Sequence, residues 1–242
     1  MLSNFRLNDR QRKETPQMMG TKTMVLSLFL KCAVIASAAV GILLSWAAGA
    51  QSFMGGKRVF MYFTIQSNIA IALVCAIGAA LLLCGQPVQH FWYVIKFVFT
   101  VSITLTGVVF CFVLAPTMGG RAWSLPNVLT HVVVPLAAVL DFFVTGRVGS
   151  IPKSSALFVT IPPLLYAIYA GIGYAAGWEF YKGIHYPYFF LNWGSPAGAF
   201  GFTDQLPFMG CAWWIGAILV FLLAVSYGYL LILDLLKKAL PA

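Results

Sequence analysis

Six long apolar stretches, separated by short polar ones, set the pattern of this chain. They cover about residues 25–49, 59–84, 92–114, 126–144, 155–176 and 209–236. Each holds about 20 or more mostly apolar residues, the length that an α-helix needs to cross roughly 30 Å of hydrocarbon. The first stretch is too long for a signal peptide and lacks a small-residue cleavage site, so we interpret it as the first helix.

The composition supports this interpretation. Hydrophobic residues make up 61% of the chain and charged residues 9%, which lies far outside the range of soluble globular domains. The sequence therefore predicts an all-α integral membrane protein with six transmembrane helices in a single domain, residues 24–242, after a basic tail, residues 1–23. No soluble basic segment with interleaved aromatics supports nucleic-acid binding, so we expect no nucleic-acid partner.

The distribution of Lys and Arg predicts that both termini are cytoplasmic. One side of the predicted bundle carries nine of these cations and the other carries four. The nine are Arg6, Arg10, Arg12, Lys13, Lys22, Arg147, Lys153, Lys237 and Lys238, and the four are Lys57, Arg58, Arg121 and Lys182. Lys31 falls inside the first span near its cytoplasmic end, where its side chain can reach the interface, and we assign it no role.

No metal site or cofactor is predicted. The five cysteines are scattered over four predicted helices without C-x-x-C spacing, which is typical of packing residues rather than of a disulfide framework or zinc ligands. His90 falls in a cytoplasmic loop, and His131 and His185 belong to the outer half of the protein, so three scattered histidines do not form a metal site.

One loop is much longer than the others. Residues 177–208 connect the fifth and sixth spans and are rich in aromatic residues, Gly and Pro. Loops of this length are usually lids or binding segments, and this one falls on the outer, non-cytoplasmic face. We expect it to fold over the mouth of the bundle and to supply part of a binding wall. Its candidate binding residues are Tyr186, Tyr188, Asn192, Trp193 and Asp204.

Polar residues form one stripe on each of two spans. Thr64, Ser67 and Asn68 share one face of the second helix, and Asn127 and His131 share one face of the fourth. Thr64 and His131 each lie five residues inside their predicted spans, about 7.5 Å deep on the outer side. Each residue alone is explained by a structural role, such as a hydroxyl bonded to its own helix or an amide joining two helices. Their common depth favours a buried site.

Asp141 lies on the same face of the fourth helix but ten residues beyond His131, about 15 Å along the axis. It cannot orient the imidazole, and we interpret it as a helix-end ion pair beside Arg147 or as an anchor. The candidates for holding His131 are Asn68, Asn127, Asn192 and Asp204, and the sequence does not choose among them.

Three short motifs, in the order of the helices, carry a family resemblance. "YFTIQSN" opens the second span, "LTHVVVPLAAVLDFF" runs through the fourth, and "YPYFFLNW" lies in the long loop. Together they resemble the androgen-induced and androgen-dependent-TFPI-regulating membrane proteins and their bacterial six-helix relatives. The resemblance implies threonine-dependent hydrolysis of lipid esters, including fatty acid esters of hydroxy fatty acids, with Thr64 and His131 at the matching positions. The bacterial character of the motifs implies a bacterial inner membrane.

Threonine becomes a nucleophile when a base removes its proton, and neutral histidine is the commonest such base. The oxyanion formed by attack on an ester needs donors, and Gln66, Ser67, Asn68 or backbone N–H groups around 192–194 are the candidates. The predicted partners are a lipid ester and the surrounding lipids. Two alternatives stay open: a small-solute transporter, if His131 and Asp141 share a wet path, and a lipid-binding protein without enzymatic activity.

Overall fold

The computed structural model describes residues 19–147 and 150–239. Within this part of the chain it contains six helices that are long and apolar enough to cross a membrane. They are α1 (Thr21–Ala47), α2 (Phe63–Leu83), α3 (His90–Met118), α4 (Leu125–Gly146), α5 (Lys153–Ala175) and α6 (Cys211–Ala239). The prediction of an all-α fold with six helices able to span a membrane is confirmed for the described residues. Most of the basic tail, including Arg6, Arg10, Arg12 and Lys13, lies outside the described residues.

Two helix boundaries differ from the sequence prediction. Residues Gly56–Met61 form a 3₁₀ turn, so the α-helical part of α2 begins at Phe63 rather than near residue 59. Thr64 is therefore the second residue of its helix, not the sixth. The first eight residues of α5, Lys153–Thr160, are also 3₁₀, and Pro162 and Pro163 follow at the start of the α-helical part. Proline fits there because first-turn N–H groups have no helical partner.

The helices divide into a compact group and a looser pair. Helix α1 packs against α2 and α4, and α3 packs against α2 and α4, around an apolar core that includes Val34, Ile71, Ile103, Val134 and Ala138. Helix α6 packs on the 3₁₀ part of α5 and on α3. The α-helical part of α5 packs mainly against its own 3₁₀ segment and against the long loop. A space therefore remains between this part of α5 and helices α3 and α6.

Helices α3 and α4 each widen into a π-helix just before a proline. The π segments are Phe110–Leu114, ahead of Pro116, and Leu129–Val133, ahead of Pro135. Proline has no N–H and its ring crowds the carbonyl four residues earlier, so a regular α-helix cannot continue through it without strain. Inserting one extra residue into the turn relieves this conflict, and such π-bulges are frequent at functional sites.

Three charged residues inside the spans, Lys31, Lys96 and Asp141, form a buried cluster about 15 Å along α4 from His131. The Asp141 carboxylate accepts hydrogen bonds from Lys31 Nζ at 2.8 and 2.9 Å, from Ser27 Oγ at 2.6 Å and from Lys96 Nζ. The interpretation of Lys31 was therefore wrong, and that of Asp141 was right about an ion pair but wrong about the partner. Lys31 is buried rather than reaching the interface, and Asp141 pairs with two lysines rather than with Arg147.

The long loop, here called the lid (residues 176–210, between α5 and α6), is folded onto the start of α2. Tyr62 Oη donates to the Phe180 carbonyl at 2.9 Å, and Arg58 pairs with Glu179 at 2.7 Å. Phe180, Tyr188, Phe190 and Leu191 are buried in a cluster with Tyr62 and with Tyr166 of α5. These contacts place the lid against the start of α2, next to Thr64, and against α5.

Candidate functional site

Thr64 and His131 meet at the junction of α2 and α4. Thr64 Oγ1 lies 3.3 Å from His131 Nε2, and both side chains are buried, at 4% exposure each. This distance is at the long end for a hydrogen bond, which is usual for a nucleophile and its base in a protein without substrate. The structure thus brings together the two residues that the sequence paired by depth and face.

The second ring nitrogen of His131 has two acceptors. Nδ1 lies 3.0 Å from the backbone carbonyl of Asn127 and 3.0 Å from Thr130 Oγ1. The Thr130 hydroxyl donates its own hydrogen to the Pro126 carbonyl at 2.8 Å, so its oxygen is left to accept. Both partners therefore require a hydrogen on Nδ1. In the neutral imidazole Nε2 is then the acceptor, and it faces the Thr64 hydroxyl.

The proline after His131 leaves two backbone carbonyls of α4, those of Thr130 and His131, without a helical donor. Pro135 cannot donate to the His131 carbonyl, and in the π segment the N–H of Val134 bonds to the Leu129 carbonyl, one residue further back than in an α-helix. The Thr130 carbonyl is released in the same way and accepts from Asn68 Nδ2 at 3.1 Å.

Helix α3 closes the histidine pocket from one side. Phe110 stacks on the His131 ring with centroids 3.9 Å apart and an angle of 21° between the planes. A Cβ at position 107 would lie 2.9 Å from the His131 carbonyl oxygen, so only glycine allows this approach of α3 to α4. The imidazole is thus fixed in its plane by stacking and in its rotation by the Nδ1 bonds.

The backbone carbonyl of Thr64 is held by two side chains of its own helix, and one of these also bonds to α4. Asn68 Nδ2 donates to the Thr64 carbonyl at 2.7 Å as well as to Thr130, and Ser67 Oγ donates to the Thr64 carbonyl at 3.0 Å. Asn68 therefore joins the backbones beside the two reacting side chains. Ser67 Oγ also bonds to Thr106 of α3, at 2.7 Å.

The lid adds a fourth side chain. Tyr188 Oη lies 3.3 Å from the Thr64 backbone nitrogen and 3.4 Å from Thr64 Oγ1, and the residue is buried. Because Thr64 is in the first turn of α2, its N–H has no carbonyl partner within the helix. Burial raises the pKa of Tyr188, so the phenol keeps its proton at neutral pH.

A cavity reaches Thr64 from the side of α5. It encloses about 600 Å³ of space between atoms, part of it open to the outside, and lies between α3, α5, α6 and the lid. Its lining is apolar apart from Thr64, Thr106, Tyr166 and Tyr188. An apolar lining with a few polar groups is typical of small-molecule sites. His131 contacts Thr64 but does not line the cavity.

Some of the residues proposed from the sequence lie elsewhere. Gln66 is exposed and donates to the Phe60 carbonyl at 3.1 Å, and the Asn127 side chain donates to Ala122, so Asn127 holds His131 through its backbone instead. Asn192 Oδ1 accepts from the Gly194 N–H within a lid turn, and Asp204 is exposed. Neither has a hydrogen bond to His131 among the described contacts.

Two further lid residues are also outside the cluster. Trp193 packs its indole 3.7 Å from the position that a Cβ at Gly171 would take, and it does not line the cavity. Tyr186 is half-buried and has no hydrogen bond to the site among the described residues. The lid wall of the cavity consists instead of Tyr188, Phe190 and Leu191.

Sequence reasoning missed Thr130, Phe110 and Tyr166. The proline four residues after His131 was an available signal, because it releases backbone acceptors next to the histidine. Phe110 and Tyr166 carry no such signal, since their roles depend on how α3 and α5 approach the site.

Within residues 19–147 and 150–239, no group of three or more His, Cys, Asp or Glu side chains could hold a metal ion. A scan against protein-family models, a search of curated proteins and a search of solved structures each returned no match.

Proposed function

We propose that this protein is an intramembrane hydrolase of lipid esters, with Thr64 as nucleophile and His131 as general base. The observation that carries the proposal is the hydrogen-bond chain from Thr64 Oγ1 to His131 Nε2, with Nδ1 fixed as a donor by Asn127 and Thr130. This is the arrangement of nucleophile, base and orienting group that activates hydroxyl nucleophiles. The resemblance of the three motifs points to the same pair.

Hydrolysis proceeds in two balanced stages. Thr64 Oγ attacks the ester carbonyl carbon as its proton passes to His131 Nε2, and the carbonyl electron pair moves to the oxygen. When the carbonyl re-forms, the bond to the alcohol oxygen breaks and that oxygen takes the proton from Nε2. Water then gives a proton to Nε2 and attacks the acyl-threonine, and release of the fatty acid returns the proton to Thr64.

The substrate we propose is a fatty-acyl ester, with fatty acid esters of hydroxy fatty acids among the candidates. The apolar lining of the cavity beside Thr64 suits an acyl chain, and its partly open character suits entry from lipid. We further propose that both termini are cytoplasmic, in a bacterial inner membrane. The site then opens toward the outer leaflet, near the depth of lipid ester groups.

The transport alternative needs a continuous polar path between His131 and the Asp141 cluster. Val134, Ala137 and Ala138 of α4 lie between these two residues and are buried in the apolar core with Ile71 and Val74 of α2. This layer supports hydrolysis over transport. Lipid binding without enzymatic activity would also account for the cavity. It would not require a histidine whose unprotonated ring nitrogen lies beside a threonine hydroxyl.

The direct test uses purified protein in detergent with a panel of fatty-acyl esters and a fluorophosphonate probe of the kind that labels serine hydrolases. We expect ester hydrolysis, a stable phosphonyl adduct and, after proteolysis and mass spectrometry, an adduct on the peptide that contains Thr64. Uptake of solutes into vesicles without labelling would overturn the proposal in favour of transport. An adduct elsewhere would overturn the assignment of Thr64.

The cavity predicts a change in chain-length preference. Ala167 lines the cavity on α5, and Ala167→Phe would fill part of it. We expect kcat/KM for long-chain esters to fall about 10-fold or more, because the lost volume holds the distal acyl carbons, and short soluble esters to change by less than about 3-fold. Competing hydrolysis of matched long and short esters measures the ratio.

The matched control is Ile168→Phe, which introduces the same ring at the next residue. Ile168 is 58% exposed and does not line the cavity, so its variant should keep the wild-type chain-length ratio. Equal losses on long and short esters in Ala167→Phe would indicate a folding defect, and no loss on either would show that the acyl chain lies elsewhere.

A further inference from the structure

Resting on the proposed hydrolysis, we propose that the Tyr188 hydroxyl and the Thr64 backbone N–H together form the oxyanion-binding site of this protein. Tyr188 belongs to the lid, so the lid would complete the reaction site as well as cover it. The two donors lie side by side next to the nucleophile: the phenol oxygen lies 3.3 Å from the Thr64 nitrogen and 3.4 Å from Thr64 Oγ1.

The backbone donor follows from where α2 begins. Tyr62 is the N-cap, and its carbonyl accepts from the N–H groups of Ile65 and Gln66. The N–H of Thr64 points out of the helix end instead, where the helix dipole favours negative charge. Serine proteases also use the backbone N–H of the nucleophile itself as an oxyanion donor.

The phenol is held in place before any substrate binds. The Tyr188 ring stacks on Phe190 with centroids 5.1 Å apart and makes ring contacts with Tyr62 and Tyr166. Its oxygen accepts the Thr64 N–H in the structure. A carbonyl oxygen that inserts between them would accept from both the N–H and the phenol O–H. Preorganised donors of this kind act without a reorganisation cost during the reaction.

The other candidate donors near Thr64 are committed elsewhere. Both Asn68 Nδ2 hydrogens are used on backbone carbonyls, and Ser67 Oγ donates to the Thr64 carbonyl. Gln66 is exposed and bonds to Phe60. Tyr166 Oη donates to the Met61 carbonyl at 3.1 Å. Among the described side chains at the site, Tyr188 is therefore the one whose hydrogen is available beside the Thr64 hydroxyl.

In the step concerned, the Thr64 Oγ to carbon bond forms and the carbonyl electron pair moves to its oxygen, while the Thr64 proton moves to His131. The negative oxygen accepts from Tyr188 and from the Thr64 N–H without taking either proton. When the tetrahedral intermediate collapses, the carbonyl re-forms, the alcohol leaves with the proton from His131, and Tyr188 is unchanged. The same two donors serve the deacylation step.

The test compares Tyr188→Phe with Tyr186→Phe, using wild-type protein in detergent as reference. Phenylalanine keeps the ring that packs on Phe190 and removes only the hydroxyl. We expect kcat for a fatty-acyl ester to fall about 100-fold in Tyr188→Phe with KM within about 3-fold, because the lost bond forms mainly in the transition state. Tyr186→Phe should match wild type, since that hydroxyl lies outside the site.

A second measurement separates oxyanion binding from positioning of Thr64. A trifluoromethyl ketone with the acyl chain of the substrate forms a charged tetrahedral adduct, whereas the matching ether does not. In Tyr188→Phe, the affinity for the ketone should fall by about the same factor as kcat/KM. The affinity for the ether should stay within about 3-fold of wild type. Equal weakening of both inhibitors would overturn the proposal and make Tyr188 a wall residue.

Unchanged or increased kcat in Tyr188→Phe would also overturn the proposal, since the phenol would then be dispensable or would block the site. That outcome is distinct from failure of the proposed function. If Thr64-dependent hydrolysis holds while Tyr188→Phe is fully active, only the oxyanion assignment fails. If wild-type protein neither hydrolyses esters nor takes the fluorophosphonate on Thr64, the proposed function fails and this assignment fails with it.

Discussion

Thr64→Ala is expected to lower kcat for fatty-acyl esters about 10³-fold or more, because it removes the atom that forms the acyl intermediate. His131→Gln should cost a similar factor, since an amide in the same place cannot take the proton from Thr64. Residues that act as one unit are not additive, so the double variant should be no slower than either single one. Initial rates on one ester across the set measure this.

Thr64→Ser supplies the matched control because it keeps the hydroxyl and removes only the methyl group. We expect it to retain activity within about 10-fold and to take the fluorophosphonate. Thr104→Val is a second control, since Thr104 bonds to Tyr229 away from the site. Thr64→Ala that keeps wild-type activity, or a double variant whose loss is the product of the single losses, would contradict the dyad.

The second large effect concerns stability rather than chemistry. Asp141→Asn is expected to destabilise the protein by about 3–5 kcal/mol, the range for breaking a buried ion pair and leaving its partner uncompensated. Asp141 is fully buried and Lys31 and Lys96 are at most 5% exposed, so no solvent replaces the lost charge. Thermal unfolding in detergent, followed by size-exclusion chromatography, measures the change.

The geometry explains the size of the effect. Lys96 Nζ also donates to Thr145 Oγ1 at 2.6 Å and to the Asp141 carbonyl at 3.1 Å, and Lys31 is seated against Gly78, where a Cβ would lie 3.0 Å from Lys31 Cε. The two ammonium groups come from α1 and α3, and the carboxylate comes from α4. Loss of the carboxylate charge therefore leaves two buried ammonium groups, one on α1 and one on α3, without the negative charge to which both are bonded.

Two comparisons identify the mechanism. Replacing the whole cluster, as Lys31→Met, Lys96→Met and Asp141→Leu, should give a protein more stable than Asp141→Asn, because no unpaired charge remains. Asp204→Asn alters an exposed carboxylate and should change stability by less than about 0.5 kcal/mol. An Asp141→Asn protein as stable as wild type would show that the lysines are already neutral or that water reaches them.

The folded fraction of Asp141→Asn should still hydrolyse esters within a few-fold of wild type. Ten residues, about 15 Å of helix, separate Asp141 from His131, and Nδ1 of that histidine bonds to Asn127 and Thr130 instead. A loss of specific activity comparable to that of His131→Gln would mean that the two clusters are coupled.

By itself, the sequence determined that the chain has six helices able to span a membrane, and it placed Thr64 and His131 on the polar faces of two of them. An apolar segment long enough to span a bilayer forms a helix, because its backbone polar groups must bond within the segment. The 3.6-residue period of that helix places polar residues at i, i+3 and i+4 on one face. These are local properties of the chain. They needed no knowledge of how the helices approach one another.

Only the tertiary structure decided what orients His131 and what pairs with Asp141. The sequence suggested side chains such as Asn192 and Asp204, but the backbone carbonyl of Asn127 and the Thr130 hydroxyl hold the imidazole. Lys31 was assigned to the interface, although its partner lies 110 residues away in sequence. Such contacts depend on the rotation and spacing of packed helices, which side-chain periodicity within one helix does not encode.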